Sequence, residues 1–289
     1  MRGQAALTAV PVPDGLQATL RPYQQQGLNW LQFLREHRLA GILADDMGLG
    51  KTLQTLAHIL TEKNAGRLTQ PALIVAPVSL LGNWQREATR FCPALKTHIH
   101  HGLSRHETAE ELCAFDVVIT AYSLLSRDRE MWLEVPWHLL VLDEAANFLE
   151  AQVRFLQGWV RTTDPKQKCQ TLMCFNPPTT AEGRWIISYF SPWLDRKHPN
   201  PAESGEVRWF AMVDGKEIEV PTADSFEHDG ETITPQSRTF IAARIADNPY
   251  LSGTGYMATL QALPEPLRSQ MLHGDFNAGI EDDPWQVIP

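Results

Sequence analysis

The sequence predicts an α/β protein whose mostly parallel sheet is flanked by helices and carries a small β-hairpin insertion. Three observations support this fold class. Short apolar runs alternate with segments of helical spacing between residues 41 and 175, as in βαβ units. A glycine-rich loop joins the first apolar run to the next helical segment. Further along, Asp214 and Gly215 separate two alternating stretches, which is typical of a hairpin turn.

The individual elements follow from these patterns in chain order. Apolar runs predict buried strands, and apolar residues three or four apart predict helices packed on the sheet. The predicted strands lie at 41–44, 72–76, 116–121, 139–142 and 171–175, and the predicted helices at 22–37, 52–60, 80–91 and 146–160. After about residue 200 the composition changes. The hairpin strands are predicted at 207–213 and 216–220, a further strand near 239–243, and short helices near 254–262 and 264–272.

Composition restricts location and partners. The chain of 289 residues is 43% hydrophobic and 20% charged, with a net charge of −9. It has no basic stripe, so a contact with nucleic acid has to be made by a few local side chains. The longest apolar runs are too short to span a bilayer, and the first residues lack the apolar core of a signal peptide. We therefore expect no membrane association and a cytoplasmic location.

The cysteines and a histidine cluster receive structural interpretations. The four cysteines form no Cys-x-x-Cys pair, which predicts buried small side chains in a reducing compartment. His98, His100 and His101 lack a partner set at metal-ligand spacing. They are predicted to be surface or loop residues.

Residues 45–52 carry the pattern of a phosphate-binding loop. They follow a predicted strand and open a predicted helix, the setting in which backbone N–H groups surround phosphate oxygens at a helix N-terminus. Lys51 is predicted to neutralise the β- and γ-phosphates, and Thr52 to place its hydroxyl on Mg²⁺. The generic pattern has Gly where Asp45 stands, so the loop is a variant form. The predicted nucleotide ligands of the loop are Gly48, Leu49, Gly50, Lys51 and Thr52.

A second functional element follows about 90 residues later. The apolar run at 139–142 ends in Asp143 and Glu144, and ligands bind at the carboxyl ends of strands in open α/β sheets. Asp143 is predicted to bind Mg²⁺ directly or through water, and Glu144 to orient and polarise the attacking water. The two elements together predict an Mg²⁺-dependent ATP site.

Residues 20–145 resemble the first RecA-like lobe of the Swi/Snf-type ATPases of helicase superfamily 2. The resemblance lies in five motifs, which occur in order at residues 20–30, 44–52, 76–84, 120–125 and 143–145. It implies that Gln24 contacts the adenine base and that the motifs at 76–84 and 120–125 touch the DNA backbone. It also accounts for Asp45 in the loop.

From Asp143 onward the chain is similar instead to the large subunit of bacteriophage terminases, the motors that package DNA into capsids. Residues 143–150 resemble their acidic box and residues 174–179 their coupling motif, which implies that Asn176 senses the γ-phosphate. The Swi/Snf pattern departs at Ala146, where that family has Gln or His, and neither its Gly-Thr-Pro motif nor a second RecA-like lobe follows. The close of the terminase ATPase domain is resembled at 247–250, 274–276 and 282–285.

The two resemblances predict a chimera joined near residues 143–146, whose halves complete one sheet. We expect an irregular lead-in at 1–18, a helicase-like ATP-binding half at 19–145, a terminase-like half at 146–275 and a linker at 276–289. That linker would precede a nuclease domain, which the sequence lacks, so no nuclease activity is expected. Core packing across the join is the risk, because the side chains of the halves need not match.

The predicted function is Mg²⁺-dependent ATP hydrolysis coupled to double-stranded DNA, with Lys51, Glu144 and Asn176 as catalytic residues. Two alternatives remain, a nucleotide-binding module without turnover and a non-functional fusion. The sequence does not fix the arginine that would complete the site, although Arg127 and Arg129 could act in trans in a homo-oligomer. If the second half is terminase-like, a portal or small terminase protein is the expected partner.

Overall fold

The computed structural model describes residues 7–37, 41–45, 50–102, 108–160, 167–243 and 255–279, with the backbone alone at 41–45, 242–243 and 255–256. The strands of these ranges are β1 Gly41–Asp45, β2 Ala72–Ala76, β3 Thr97–His100, β4 Val117–Ala121, β5 Leu139–Asp143, β6 Gln170–Cys174, β7 Val207–Val213, β8 Lys216–Val220, β9 Phe226–His228, β10 Glu231–Ile233 and β11 Gln236–Ala243. The helices are α1 Pro22–Glu36, α2 Lys51–Asn64, α3 Val78–Phe91, α4 Ala109–Leu112, α5 Arg129–Glu134, α6 Glu150–Gln157, α7 Trp185–Tyr189, α8 Ser191–Leu194, α9 Gly255–Gln261 and α10 Leu267–His273.

Nine of the described strands form one sheet in the order β3-β4-β2-β5-β6-β1-β11-β7-β8. Every pairing from β3 to β11 is parallel, and β7 and β8 are added antiparallel at one edge. Val213 pairs with Lys216, which leaves Asp214 and Gly215 as a two-residue turn with positive φ at both positions. The predicted α/β class and the predicted hairpin are confirmed.

Helices cover both faces of the sheet because its central strands are apolar on both sides. All five residues of β2 are buried. Leu73 and Val75 pack with residues of α5 to α8, whereas Ala72, Ile74 and Ala76 pack with residues of α1 to α3. Successive side chains of a strand point to opposite faces, so a continuous apolar run belongs to a strand buried on both.

The two halves of the chain share this sheet and its cores. β6 pairs with β5 on one side and with β1 on the other, and β11 pairs with the far side of β1. Leu172 of β6 lies in the same core cluster as Trp30 of α1. On the other face, Phe175 is fully buried, with ring centroids 5.9 to 6.3 Å from those of Phe190, Phe240 and Phe276. Side chains from both sides of residue 146 therefore pack together.

The helix predicted at 146–160 is wrong in its extent. A 3-10 turn at Ala145–Asn147 comes first, and α6 begins only at Glu150. Between them Phe148 is extended and buried in the core. The backbone N–H of Leu149 then donates to Gln152 Oε1 at 2.9 Å, which caps a new helix start. The burial of Phe148 overrides the helical spacing of the segment.

The predictions for the histidines and cysteines hold only in part. His98 and His100 lie in β3 rather than in a loop, and His100 is buried with its Nε2 3.1 Å from Asp128 Oδ2. A four-residue strand with two histidines has too little apolar character to be predicted. Two cysteines are buried as expected, but Cys113 is exposed and Cys169 is half-buried. Among the described residues no helix is long and apolar enough to cross a membrane.

Candidate nucleotide-binding site

The candidate site lies at the carboxyl ends of β5, β6 and β1, which are neighbours in the sheet. Asp143 of β5 pairs with Cys174 of β6, and Leu43 of β1 pairs with the same Cys174. The three strands therefore end at one level, and the segments that follow them emerge at the same edge. β1 and β5 precede the expected join and β6 follows it, so residues of both halves meet here.

The phosphate-loop sequence leads directly into α2. Gly50 has a left-handed backbone (φ 79°, ψ 40°), and the helix begins at Lys51. A side chain is strained in this conformation, and a Cβ built on Gly50 would lie 2.5 Å from Gln24 Nε2. The left-handed backbone therefore favours glycine, and a Cβ at this position would also have to displace the end of the Gln24 side chain. Outside the described residues lie Gly48, Leu49 and the side chain of Asp45.

The start of α1 brings Gln24 against this loop. Pro22 occupies the first helical position, where its missing N–H leaves no bond unmade. Gln24 Oε1 accepts a hydrogen bond from the backbone N–H of Arg21 at 3.0 Å. This contact fixes the buried side chain with its Nε2 next to Gly50. The structure thus places Gln24 beside the phosphate-loop residue Gly50, and its contact with the adenine base stays a prediction.

Asp143 is held by two hydrogen bonds. Its Oδ2 accepts from the indole Nε1 of Trp84 at 2.8 Å, and its Oδ1 accepts from the backbone N–H of Glu144 at 3.2 Å. The carboxyl is buried, and burial raises the pKa of Asp143 above its usual range. The bond from Trp84 and the positive charge of Lys51 oppose that rise.

Glu144 turns the chain at the end of β5. Its backbone is left-handed (φ 53°, ψ 46°), which costs a residue with a side chain about 1 kcal/mol and is one of the strained conformations that recur at functional sites. Burial raises the pKa of Glu144, Lys51 opposes the rise, and the neighbouring Asp143 adds to it. Lys51, about 90 residues earlier in the chain, therefore lies near enough to both carboxylates for its charge to lower their pKa values.

The donor set fits a magnesium nucleotide. Thr52 is the second residue of α2 and half-buried, and Asn176 lies two residues beyond β6 and is buried. A hydroxyl and carboxylate oxygens are the ligands that Mg²⁺ prefers, and the N-terminus of α2 offers backbone N–H groups to phosphate. The sequence places Trp84 in the motif at 76–84, which the resemblance implies touches the DNA backbone. The bond from Trp84 to Asp143 could not be predicted, because no local pattern relates residues 59 positions apart.

Comparisons with known proteins agree with this geometry. Residues 23–161 match the family model of the SNF2-related domain. The putative ATP-dependent helicase/translocase YwqA of Bacillus subtilis is 46% identical over 147 residues, covering 50% of this chain and 16% of that protein. Helicase SWR1 of Eremothecium gossypii is 35% identical over 260 residues, covering 84% of this chain and 16% of that protein. The chain therefore spans 16% of the length of each of these two relatives.

A solved structure is similar to the chain as well. The SWI2/SNF2 ATPase core of Sulfolobus solfataricus in complex with dsDNA superposes with a TM-score of 0.52 at 32% identity, covering 62% of this chain and 37% of that one. The RecA-like fold is thereby confirmed, whereas the resemblance of the second half to terminases stays a prediction. The family match continues past the expected join. Residues 23–161 of this chain are therefore similar to the SNF2-related domain, and the chain has the RecA-like fold of the Swi/Snf-type ATPase cores.

Proposed function

We propose that the chain binds ATP with Mg²⁺ at this site and hydrolyses it while bound to double-stranded DNA, as the ATPase domain of a DNA translocase. The observation that carries the proposal is the meeting of Lys51 with Asp143 and Glu144 at the edge where β1, β5 and β6 end. The similarity to an ATP-dependent helicase/translocase and to a DNA-bound ATPase core supports it.

Each residue has a distinct role in the proposed reaction. Lys51 neutralises the β- and γ-phosphates, and Thr52 and Asp143 hold Mg²⁺, which when bound offsets charge on the transferred phosphoryl group. Glu144 orients the water that attacks in line. Its raised pKa brings the carboxylate closer to the working pH, where a general base is most effective.

Two residues complete the nucleotide contacts. Asn176, two residues beyond the strand that lies between β1 and β5, senses the γ-phosphate. Gln24 contacts the adenine base from the start of α1, and its place beside Gly50 supports that role. The strand order supports the role of Asn176, because β6 lies between the phosphate-loop strand and the acidic strand.

The DNA contact is proposed at the ends of β2 and β4. These strands are neighbours, and an exposed side chain follows each of them, Val78 two residues after β2 and Tyr122 directly after β4. The Tyr122 ring packs edge-on against Phe148 with 5.2 Å between centroids. Both segments leave the edge at which Asp143 lies, so DNA at this surface would be close to the nucleotide.

A packaging motor is the more specific candidate for the second half. Residues 146–275 are proposed to complete the ATPase domain begun by residues 19–145, with 1–18 as lead-in and 276–289 as linker. β6 and β11 support this division, because they flank β1 on its two sides. In that case the partners are further copies of the chain and a portal or small terminase protein. Nuclease activity is not expected from these residues.

Phosphate release from ATP by the purified chain tests the proposal. We expect Mg²⁺-dependent release that duplex DNA stimulates and that Lys51→Ala abolishes. Lys96→Ala is the matched control, because Lys96 is exposed before β3, at the opposite edge of the sheet. Full turnover by Lys51→Ala would refute the site. ATP binding without release would instead support a module without turnover, and a broad thermal melt unmoved by ATP and Mg²⁺ would support a non-functional fusion.

A further inference from the structure

We propose that Trp84 is a positioning residue that holds the Asp143 carboxylate in place for Mg²⁺, an inference that rests on the function proposed above. Trp84 belongs to α3, and Asp143 is the last residue of β5. The indole Nε1–H donates to Asp143 Oδ2 at 2.8 Å. Only 1% of Trp84 and 7% of Asp143 is exposed, so the bond is shielded from water.

The simpler explanation is that a buried indole N–H needs some acceptor. The other indole hydrogen bonds recorded in the described residues show which acceptors such N–H groups use in this protein. Trp132, Trp137, Trp185 and Trp193 all donate to backbone carbonyl oxygens. Among these indole groups Trp84 alone donates to an ionisable side chain, and that side chain is the one assigned to the metal.

The geometry of the bond suits a metal ligand. Each carboxylate oxygen has two lone pairs. Oδ2 uses one for Trp84 and Oδ1 uses one for the backbone N–H of Glu144, so each oxygen retains one for Mg²⁺ or its water. The indole is a neutral donor on a rigid, packed ring. It therefore fixes the plane of the carboxylate without neutralising its charge, as hydrogen-bond partners of metal ligands do.

Trp84→Phe removes the N–H and keeps an aromatic ring. The matched control is Trp137→Phe, which removes the N–H of a fully buried indole bonded to a backbone carbonyl at 2.9 Å. We expect Trp84→Phe to raise the Mg²⁺ concentration for half-maximal hydrolysis about tenfold or more. Trp137→Phe should retain the wild-type Mg²⁺ dependence, although both variants lose thermal stability. The same Mg²⁺ dependence in both variants would overturn the proposal.

A readout without turnover separates this proposal from the proposed function. In a ¹⁵N-indole NMR spectrum, the cross-peak absent from Trp84→Phe belongs to Trp84. Asp143→Asn replaces a charged acceptor by a neutral one, so this peak should move upfield while the Trp137 peak stays. A Trp84 peak unmoved by Asp143→Asn would show that the bond does not exist in solution.

Calorimetry can compare the two variants without hydrolysis. It measures the affinity for Mg²⁺ of each variant in the presence of a non-hydrolysable ATP analogue. A wild-type chain that does not hydrolyse ATP would refute the proposed function. Weaker Mg²⁺ binding by Trp84→Phe than by Trp137→Phe would still support the role of Trp84. Equal Mg²⁺ affinity in the two variants would overturn it.

Discussion

His58 lies in a buried polar network that connects the two halves of the chain, and acid should destabilise the protein through it. Its Nδ1 lies 2.9 Å from Gln32 Nε2 of α1, and its Nε2 lies 3.2 Å from Gln170 Oε1 of β6. An amide nitrogen donates and an amide oxygen accepts, so Nδ1 is the acceptor and Nε2 carries the proton. These contacts are made by the neutral ring.

The size of the effect follows from the pKa of His58. Burial lowers it from 6.5 to about 4, against the opposing charge of Glu62. The unfolded chain therefore binds the proton more tightly than the folded chain. The stability of the fold that depends on a neutral His58 is therefore fully present above pH 6.5 and is lost as the pH falls towards 4. Between pH 7.5 and 5.0 the loss is about 2 kcal/mol.

Glu62 contributes little to the change in stability between pH 7.5 and 5.0. The Glu62 carboxylate is buried and bonded to His138 and Arg67, and its pKa lies below the usual range because these bonds outweigh the cost of burial. Its contribution to stability is lost only as the pH falls below the unfolded value of 4.5. Loss of stability above pH 5 is therefore assigned to His58.

Urea unfolding at pH 7.5 and 5.0, followed by far-UV circular dichroism, measures the effect. His58→Gln should lower stability at pH 7.5 and should lose about 2 kcal/mol less than the wild type on acidification. His37→Gln is the control, because His37 is exposed at the end of α1. If the free energy of unfolding falls by the same amount in His58→Gln and in the wild type between the two pH values, the claim that buried His58 is neutral is refuted.

Three further substitutions test the site and the shared core. Gly50→Ala should weaken ATP binding about tenfold, because φ is positive and the Cβ meets Gln24, and an unchanged Kd in calorimetry would contradict this. Glu144→Gln should still bind ATP in a filter assay but release phosphate about 100-fold more slowly or less, and a wild-type rate would exclude Glu144 as the base. Phe175→Ala should lower the free energy of unfolding by about 3–5 kcal/mol, and a loss below about 1 kcal/mol would show that the aromatic cluster does not stabilise the shared core.

The central strands could be predicted because both of their faces are buried. β2 and residues 139–142 of β5 are continuous apolar runs, and β4 is interrupted only by the buried Thr120. The run in β5 leads directly to Asp143 and Glu144. The turn at Gly50 and the helix that begins at Lys51 were predictable because a phosphate loop is a local pattern. Asp214 and Gly215 were predictable for the same reason, since a two-residue turn depends on the residues within it.

Other features depend on contacts between distant residues. The order β5-β6-β1 brings Asn176 towards Lys51, but periodicity does not specify which strands are neighbours. The break before α6 arises from the burial of Phe148, and the bond from Trp84 to Asp143 joins two elements. His98 and His100 form a strand at the edge of the sheet, where few apolar residues are needed.

Steady-state phosphate release, with and without Mg²⁺ and duplex DNA, tests most directly whether residues 23–161 and the strands that follow them form a working ATPase. Lys51→Ala serves as the blank. The proposed function predicts release that requires Mg²⁺, rises with DNA and disappears in Lys51→Ala. A wild-type chain that releases no phosphate under any of these conditions, or a Lys51→Ala chain that releases it at the wild-type rate, would contradict this account.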